Sequence, residues 1–142
     1  MPYNPFLLLV SVLIASYAAG DDSVSVVLLP PYRPGFPVIV RCYFDNAESE
    51  LETVNSLKIV RSADGDPSNY QSVATTTPDD DISDLGDRVT VVGIIDPDYE
   101  SFVSASIPHP DAYCYNYKCT ATGQNSQGQS VSIEHTKQNP CV

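Results

Sequence analysis

The sequence predicts an all-β protein, a sandwich of two sheets closed by two disulfides, and three observations lead to this prediction. Apolar and polar residues alternate in at least seven short segments. Turn-forming Pro, Gly, Asn and Asp residues separate these segments. Four cysteines follow an N-terminal stretch typical of secreted proteins, and an even cysteine count in an oxidising compartment predicts disulfides.

The chain opens with an apolar run that is typical of a secretory signal. No charged residue occurs between Phe6 and Ala15, and small residues follow at the positions that a signal peptidase accepts before a cut after Gly20, or two residues earlier. The run is too short for a membrane-spanning helix, which needs about 20 residues. We therefore predict a signal peptide at 1–20 and a secreted, extracellular domain at 21–142, with an uncleaved anchor as the alternative.

The predicted strands are short, and only turns separate them. The second strand shows the alternation most clearly, because four apolar side chains lie on one face and Ile39, Arg41 and Tyr43 on the other. The stretches 62–69 and 77–87 are rich in Asp, Pro and Gly and are predicted as turns. In chain order the predicted strands are 23–29, 37–44, 56–61, 88–95, 101–107, 117–122 and 129–135.

The alternation also predicts which cysteines pair. Cys42 lies on the apolar face of its strand, and Cys119 lies on the same face as Tyr117, so a Cys42–Cys119 bridge would cross the core. Cys114 is an odd number of residues from Cys119 and points the other way. A hairpin around 123–129 would bring Cys114 close to Cys141, which predicts the second bridge. The sequence alone still permits three pairings, and a zinc site is the competing interpretation.

The two cysteine-bearing segments resemble those of an immunoglobulin-superfamily domain. "PVIVRCYF" and the Tyr-x-Cys of "YKCTATGQNSQG" carry the resemblance, which extends over 21–142 and places Tyr117 at the tyrosine-corner position. It implies an immunoglobulin-like two-sheet Greek-key sandwich. Two departures stand out. The chain has no tryptophan, so Leu57 or Ile59 must fill its place, and Tyr113 replaces an acidic residue, so Arg88 must pair with Asp111 or remain unpaired.

A narrower resemblance concerns function. The stretches "LKIVRSADGDPSNYQSVA" and "SFVSASIPHPDAY" are similar to immunoglobulin domains of molluscan fibrinogen-related and lectin-related defence proteins. This resemblance implies invertebrate humoral recognition.

Charge and motifs exclude several classes of function. The net charge of −11 opposes binding to nucleic acid and to anionic membrane surfaces. His109 and His135 have no catalytic motif around them, and we expect them to be exposed or capping. We therefore predict no enzymatic activity, no cofactor and no metal.

An acidic cluster is the most suggestive polar feature. We interpret it as a solvated turn, with a partner-facing acidic loop or a calcium site as alternatives, although its spacing does not fit the EF-hand pattern. Its members are Asp79, Asp80, Asp81, Asp84 and Asp87.

The sequence thus predicts a secreted immunoglobulin-like binding module for extracellular recognition or innate defence, with a protein or glycan ligand. The expected contact loops, which we place together at one end of the sandwich, are Asp45–Glu52, Asp64–Asn69 and Gly123–Gly128. One alternative is an adhesion or matrix protein that self-associates through a sheet edge or a Cys114/Cys141 bridge between chains. Another is an inhibitor or toxin that inserts the loop 78–87. The oligomeric state is left open.

Overall fold

The computed structural model describes residues 23–29, 36–45, 51–86, 88–96 and 100–141. The predicted signal peptide lies outside these ranges. Within them the chain forms two 3₁₀ turns, Pro67–Asn69 and Pro110–Tyr113, and nine strands. The strands are β1 (Val24–Leu29), β2 (Val38–Phe44), β3 (Thr53–Ser62), β4 (Gln71–Thr76), β5 (Asp81–Ser83), β6 (Thr90–Ile94), β7 (Ser101–Ile107), β8 (Asn116–Gln124) and β9 (Ser130–Lys137).

The strands form two antiparallel sheets that pack face to face. One sheet has the order β1-β2-β7-β6, and the other has the order β5-β4-β3-β8-β9. This division into four and five strands, with two extra strands beside β3, is the variable-type arrangement of the immunoglobulin sandwich. The predicted all-β, two-sheet, immunoglobulin-like fold is confirmed, and all seven predicted strands are present.

Two strands, β4 and β5, were not expected from the sequence. In β4 only Val73 is a large aliphatic residue, so the alternation is too weak to stand out, although Val73, Ala74 and Thr76 are all buried. β5 has three residues and begins inside a run of aspartates, a residue type that is depleted in strands. The prediction that 77–87 is a continuous turn is therefore wrong, since Asp81–Ser83 pair with β4.

The first disulfide joins the two sheets through the middle of the core. Cys42 of β2 and Cys119 of β8 are bonded, with their Cα atoms 5.8 Å apart, and both are fully buried. Val103 lies opposite Cys42 in register, and Ile59 lies opposite Cys119. This is the pairing that the alternation of apolar residues suggests.

The second disulfide lies outside the core, near the start of β8 and the end of β9. Cys114 and Cys141 are bonded, with Cα atoms 5.3 Å apart. Asn139 supports the bridge, because its Nδ2 donates to the Cys114 carbonyl at 3.0 Å and its Oδ1 accepts from the Cys141 amide at 2.9 Å. All four cysteines are described and none is free. The expected alternative of a Cys114/Cys141 bridge between chains is therefore wrong, because each is the other's partner within the chain.

The structure shows how the chain accommodates the absence of tryptophan and the replacement of an acidic residue by Tyr113. Leu57 and Ile59 are fully buried on the inner face of β3, so aliphatic side chains fill the space beside the disulfide. Arg88 is exposed, and the described residues include no ion pair between it and Asp111.

Tyr117 anchors the connection between β7 and β8. Its hydroxyl donates to the backbone carbonyl of Ala112, five residues upstream, as a tyrosine corner does. Burial raises the pKa of Tyr117, against a smaller opposing effect of the Arg61 guanidinium. That guanidinium lies 4.0 Å from the centroid of the Tyr115 ring. At this end of the five-stranded sheet, the polar groups of Tyr117 and Arg61 therefore lie next to the apolar core.

Removing the two disulfides should cost different amounts of stability. The bridges close loops with sequence separations of 77 and 27 residues, which correspond to about 4–5 and about 3–4 kcal/mol in the chain-entropy model. Cys42→Ala/Cys119→Ala also leaves a gap in the core, whereas Cys114→Ser/Cys141→Ser does not. Urea unfolding should give the lower midpoint for the first pair. An equal or larger loss for the second pair would contradict the structural account.

Tyr117→Phe should change both the size and the pH dependence of stability. At neutral pH the loss of the hydroxyl leaves a buried carbonyl unpaired, at a cost of about 1–3 kcal/mol. Because the folded-state pKa of Tyr117 is raised, its contribution is fully present below about pH 10 and is lost as the pH rises further. The variant should therefore lose less of its remaining stability between pH 10 and 12. Melting curves across this range, with Tyr70→Phe as a control, test this; parallel profiles would contradict it.

Candidate functional site

Strand directions bring three connections to one end of the sandwich. The connection before β3 lies at this end, and the antiparallel neighbours of β3 run towards it, so the turns after β4 and β8 emerge there as well. The Glu52 amide donates to the Gln124 carbonyl at 2.8 Å, which joins two of the connections. Gly123 permits this approach, since a Cβ there would lie 1.8 Å from the Thr53 carbonyl oxygen. The three connections are 45–52, of which 46–50 are not described, 77–80 and 125–129.

One of the expected contact loops lies at the opposite end. Ser62, the last residue of β3, is opposite Asn116, the first residue of β8, so the segment Asp64–Asn69 follows β3 on the far side of the sandwich. The prediction that Asp64–Asn69 joins the other two loops is wrong. The error arises because β4 was not predicted. β4 carries the chain back to the end where 45–52 and 125–129 lie, so the third connection at that end is the turn 77–80.

The turn between β8 and β9 is ordered by one side chain. Asn125 Oδ1 accepts hydrogen bonds from the amides of Gln127 and Gln129, both at 3.0 Å, and its Nδ2 donates to Gln129 Oε1. Gly128 has a φ of 76°, a conformation that side chains disfavour. The turn that the sequence predicts between the last two strands is therefore present, and its own hydrogen bonds order it.

The turn between β4 and β5 is ordered by Thr77. Its amide donates to the Asp80 carbonyl at 2.9 Å, and its hydroxyl accepts from the amides of Asp79 and Asp80 at 3.3 and 3.1 Å. Both aspartate side chains are exposed. The backbone is therefore held from within the turn, and the two carboxylates face solvent.

Asp81 has a different environment and links the two sheets. One carboxylate oxygen accepts from the hydroxyl of Thr76 on β4, and the other accepts at 3.3 Å from the amide of Gly93 on β6, in the other sheet. A Cβ on Gly93 would lie 2.0 Å from the Thr76 hydroxyl oxygen, so this close approach depends on glycine. The carboxylate of Asp81 stabilises the edge of the sandwich.

The acidic cluster therefore divides into parts with different surroundings. Asp84 accepts from the hydroxyls of Ser72 at 2.7 Å and Thr75 at 3.5 Å, so it too is bonded to β4. Asp87 lies outside the described residues. In the described part of the chain, no three His, Cys, Asp or Glu side chains form a group that could hold a metal ion. Because β5 interrupts the segment 78–87, the expectation of a single insertion loop there is also wrong.

The end that carries the three connections is acidic. Its described connecting residues, including the neighbouring stretch 95–96, contain no Lys, Arg or His. A cavity of about 290 Å³ opens at this end, lined by Ser23, Ser25, Tyr43, Asp45 and Glu100. We call this surface the acidic end and define it by its exposed carboxylates, Asp45, Glu52, Asp79, Asp80 and Glu100.

At the opposite end, Asp64 organises the turn that was expected to bind. Its Oδ1 accepts from the Ser62 hydroxyl at 2.8 Å and the Asp66 amide at 2.9 Å, and its Oδ2 accepts from the side-chain amide of Asn69. These hydrogen bonds, that of the Asp66 amide above all, lower the pKa of the Asp64 carboxyl. The acceptor atoms of this carboxylate are occupied by its own turn.

The two histidines lie away from the acidic end in different settings. His135 Nδ1 accepts from the Val26 amide at 3.2 Å, which joins β1 to β9 across the two sheets. His109 is exposed and precedes the 3₁₀ turn Pro110–Tyr113. The ring of His135 therefore has a structural partner.

Comparison with known proteins identifies the fold and no more. No protein-family model and no curated protein sequence matches the chain. Among solved structures, murine CRIg is similar, with a TM-score of 0.53 and 12% identity, over 80% of this chain and 92% of that one. This likeness shows an immunoglobulin-like fold. The comparisons give no support to the narrower resemblance to molluscan defence proteins, and within the described residues no helix has the length and apolar character to cross a membrane.

Two neighbouring aspartates should respond differently to the same substitution. Asp81→Asn cannot accept from both Thr76 and Gly93 and should lower the free energy of unfolding by about 1 kcal/mol. Asp79→Asn changes an exposed carboxylate and should leave stability unchanged. Urea unfolding of both variants tests the division, and Thr76→Val combined with Asp81→Asn should show coupling. Equal effects of the two aspartate variants, or full additivity with Thr76→Val, would contradict it.

Proposed function

We propose that this protein is a secreted binding module of extracellular recognition that holds its ligand at the acidic end. The observation that carries the proposal is the convergence of the described residues of three connections, 45 with 51–52, 77–80 and 125–129, on one end of the sandwich. In immunoglobulin variable domains the corresponding three connections form the contact loops. This support is an analogy of fold, and the charge and order of these particular loops add to it.

The exposed carboxylates define the kind of ligand. Five of them are exposed at this end, and the described residues of the connections include no Lys, Arg or His. A protein or glycan that presents amino or guanidinium groups would be attracted, whereas nucleic acid and anionic membranes would be repelled. Within extracellular recognition, innate defence is the setting that the narrower sequence resemblance favours.

Removing charge from the acidic end should weaken binding of the ligand. A ligand is first selected by probing a glycan array and a panel of extracellular proteins with the secreted protein. Asp79→Asn/Asp80→Asn should then lower its affinity by about tenfold and flatten its dependence on salt, because two exposed charges are lost.

The matched control removes two charges at the other end of the sandwich. Asp66→Asn/Asp111→Asn keeps an acceptor oxygen at both positions and should bind as the parent does. If the two double variants lose affinity equally, net charge and not the acidic end governs binding. If neither loses affinity, the ligand binds elsewhere and the proposal is wrong.

A further inference from the structure

The outer face of the four-stranded sheet is unusually apolar. Its middle cross-strand row runs from Val27 through Arg41 and Ser104 to Val92, as the strand registers show. Val92 is 54% exposed, which is high for a large aliphatic side chain in a strand. This row therefore presents two aliphatic residues and a single charge to solvent.

The cross-strand rows on either side of this middle row are also largely apolar. One contributes Tyr43, Phe102 and Ile94, which are cross-strand neighbours, and Ile94 is 54% exposed. The other contributes Leu29 and Ile39, which also lie opposite each other. Together the three rows hold twelve side chains, of which seven are apolar or aromatic, four carry small hydroxyls and one is charged. We call this surface the apolar face.

The other sheet of the same molecule provides a comparison. Across its outer face, a cross-strand row holds one apolar side chain among five, namely Ile82, Thr75, Lys58, Thr120 and Glu134, and Glu134 makes an ion pair with Lys118 at 3.9 Å. That composition is typical of a sheet face in contact with water. The two outer faces of one domain thus differ, because the first presents the exposed Val92 and Ile94 beside half-buried apolar side chains. Exposed apolar patches mark interaction sites.

Arg41 indicates what the apolar face would accept. It is the only charged residue among the twelve, although the chain contains eighteen acidic residues. Its Nη1 donates to the Tyr43 hydroxyl at 3.2 Å and its Nε donates to Ser104 Oγ at 3.4 Å. Both acceptors are neutral, and a guanidinium has five N–H donors. The cation is therefore positioned by hydroxyl groups and lacks a carboxylate from the face itself.

We propose that the apolar face binds a protein partner that presents a carboxylate surrounded by aliphatic or aromatic side chains. The carboxylate pairs with Arg41, and the surrounding apolar groups cover the side chains on the rows around it. A second copy of this chain fits less well, since face-to-face packing about a central twofold axis brings Arg41 towards its own counterpart and brings together two molecules of charge −11. This face adjoins the acidic end, because Ser25 and Tyr43 also line the cavity there. None of the five carboxylates that define the acidic end belongs to the apolar face, so the inference does not depend on the proposed function.

The test uses a displayed library of random twelve-residue peptides as the probe. Peptides that bind the folded, disulfide-bonded protein should contain Asp or Glu among aliphatic or aromatic residues. Arg41→Glu and Val92→Lys should each weaken a selected peptide by about tenfold or more, whereas Lys58→Glu, on the outer face of the other sheet, should not. Replacing the peptide's carboxylate by Lys should restore binding to Arg41→Glu. Arg41→Gln, with melting curves for every variant, separates loss of charge from loss of folding.

Three outcomes would overturn the inference. Selected peptides that lack a carboxylate, or that bind Arg41→Glu unchanged, would remove the role of the guanidinium. Peptides whose binding is insensitive to Val92→Lys would lie on another surface. Sedimentation that shows a dimer of the parent protein, broken by Val92→Lys, would make a second copy the occupant.

Discussion

The bond between Cys42 and Cys119 is the constraint on which the rest of the structure depends. It joins an interior strand of one sheet, β2, to an interior strand of the other, β8, and fixes the separation of the two sheets at the middle of the core. Val103 and Ile59 lie beside the two cysteines, and the core contains no tryptophan to widen it. Among the buried core residues that the structure describes, Phe44 and Tyr117 are the aromatic side chains and most of the others are aliphatic. The covalent link between the layers adds to this apolar burial about 4–5 kcal/mol in the chain-entropy model.

Much of this architecture was predictable from the sequence, because residues that face the core alternate with residues that face outward in most interior strands of the two sheets. Buried and partly exposed residues alternate without exception along β2 and β7. The parity of Cys114 and Cys119, with the hairpin that ends near Cys141, suggested both disulfides. β4 and β5 were not predictable by the same means. Their buried residues are small or polar, such as Ala74 and Thr76, and tertiary contacts rather than local pattern hold them in the sheet.

The site was predicted less well than the fold, for a related physical reason. The number of strands determines which connections lie at the same end of the sandwich. Because β4 was not predicted, the sequence analysis placed Asp64–Asn69 at the wrong end. Proximity in sequence also suggested one acidic cluster, yet Asp81 and Asp84 bond to neighbouring strands while Asp79 and Asp80 face solvent. Only the partners of each carboxylate reveal this division, and the sequence does not show them.

The anchoring of β8 has a consequence for the thermodynamics of recognition. Cys114, Tyr117 and Cys119 fix the backbone at three points within six residues, and the same strand leads directly into the turn that Asn125 orders. A loop held in this way has little conformational entropy left to lose when a ligand binds. Affinity at this turn is then set by surface complementarity, and binding there should resemble the docking of preformed surfaces more than the ordering of a flexible segment.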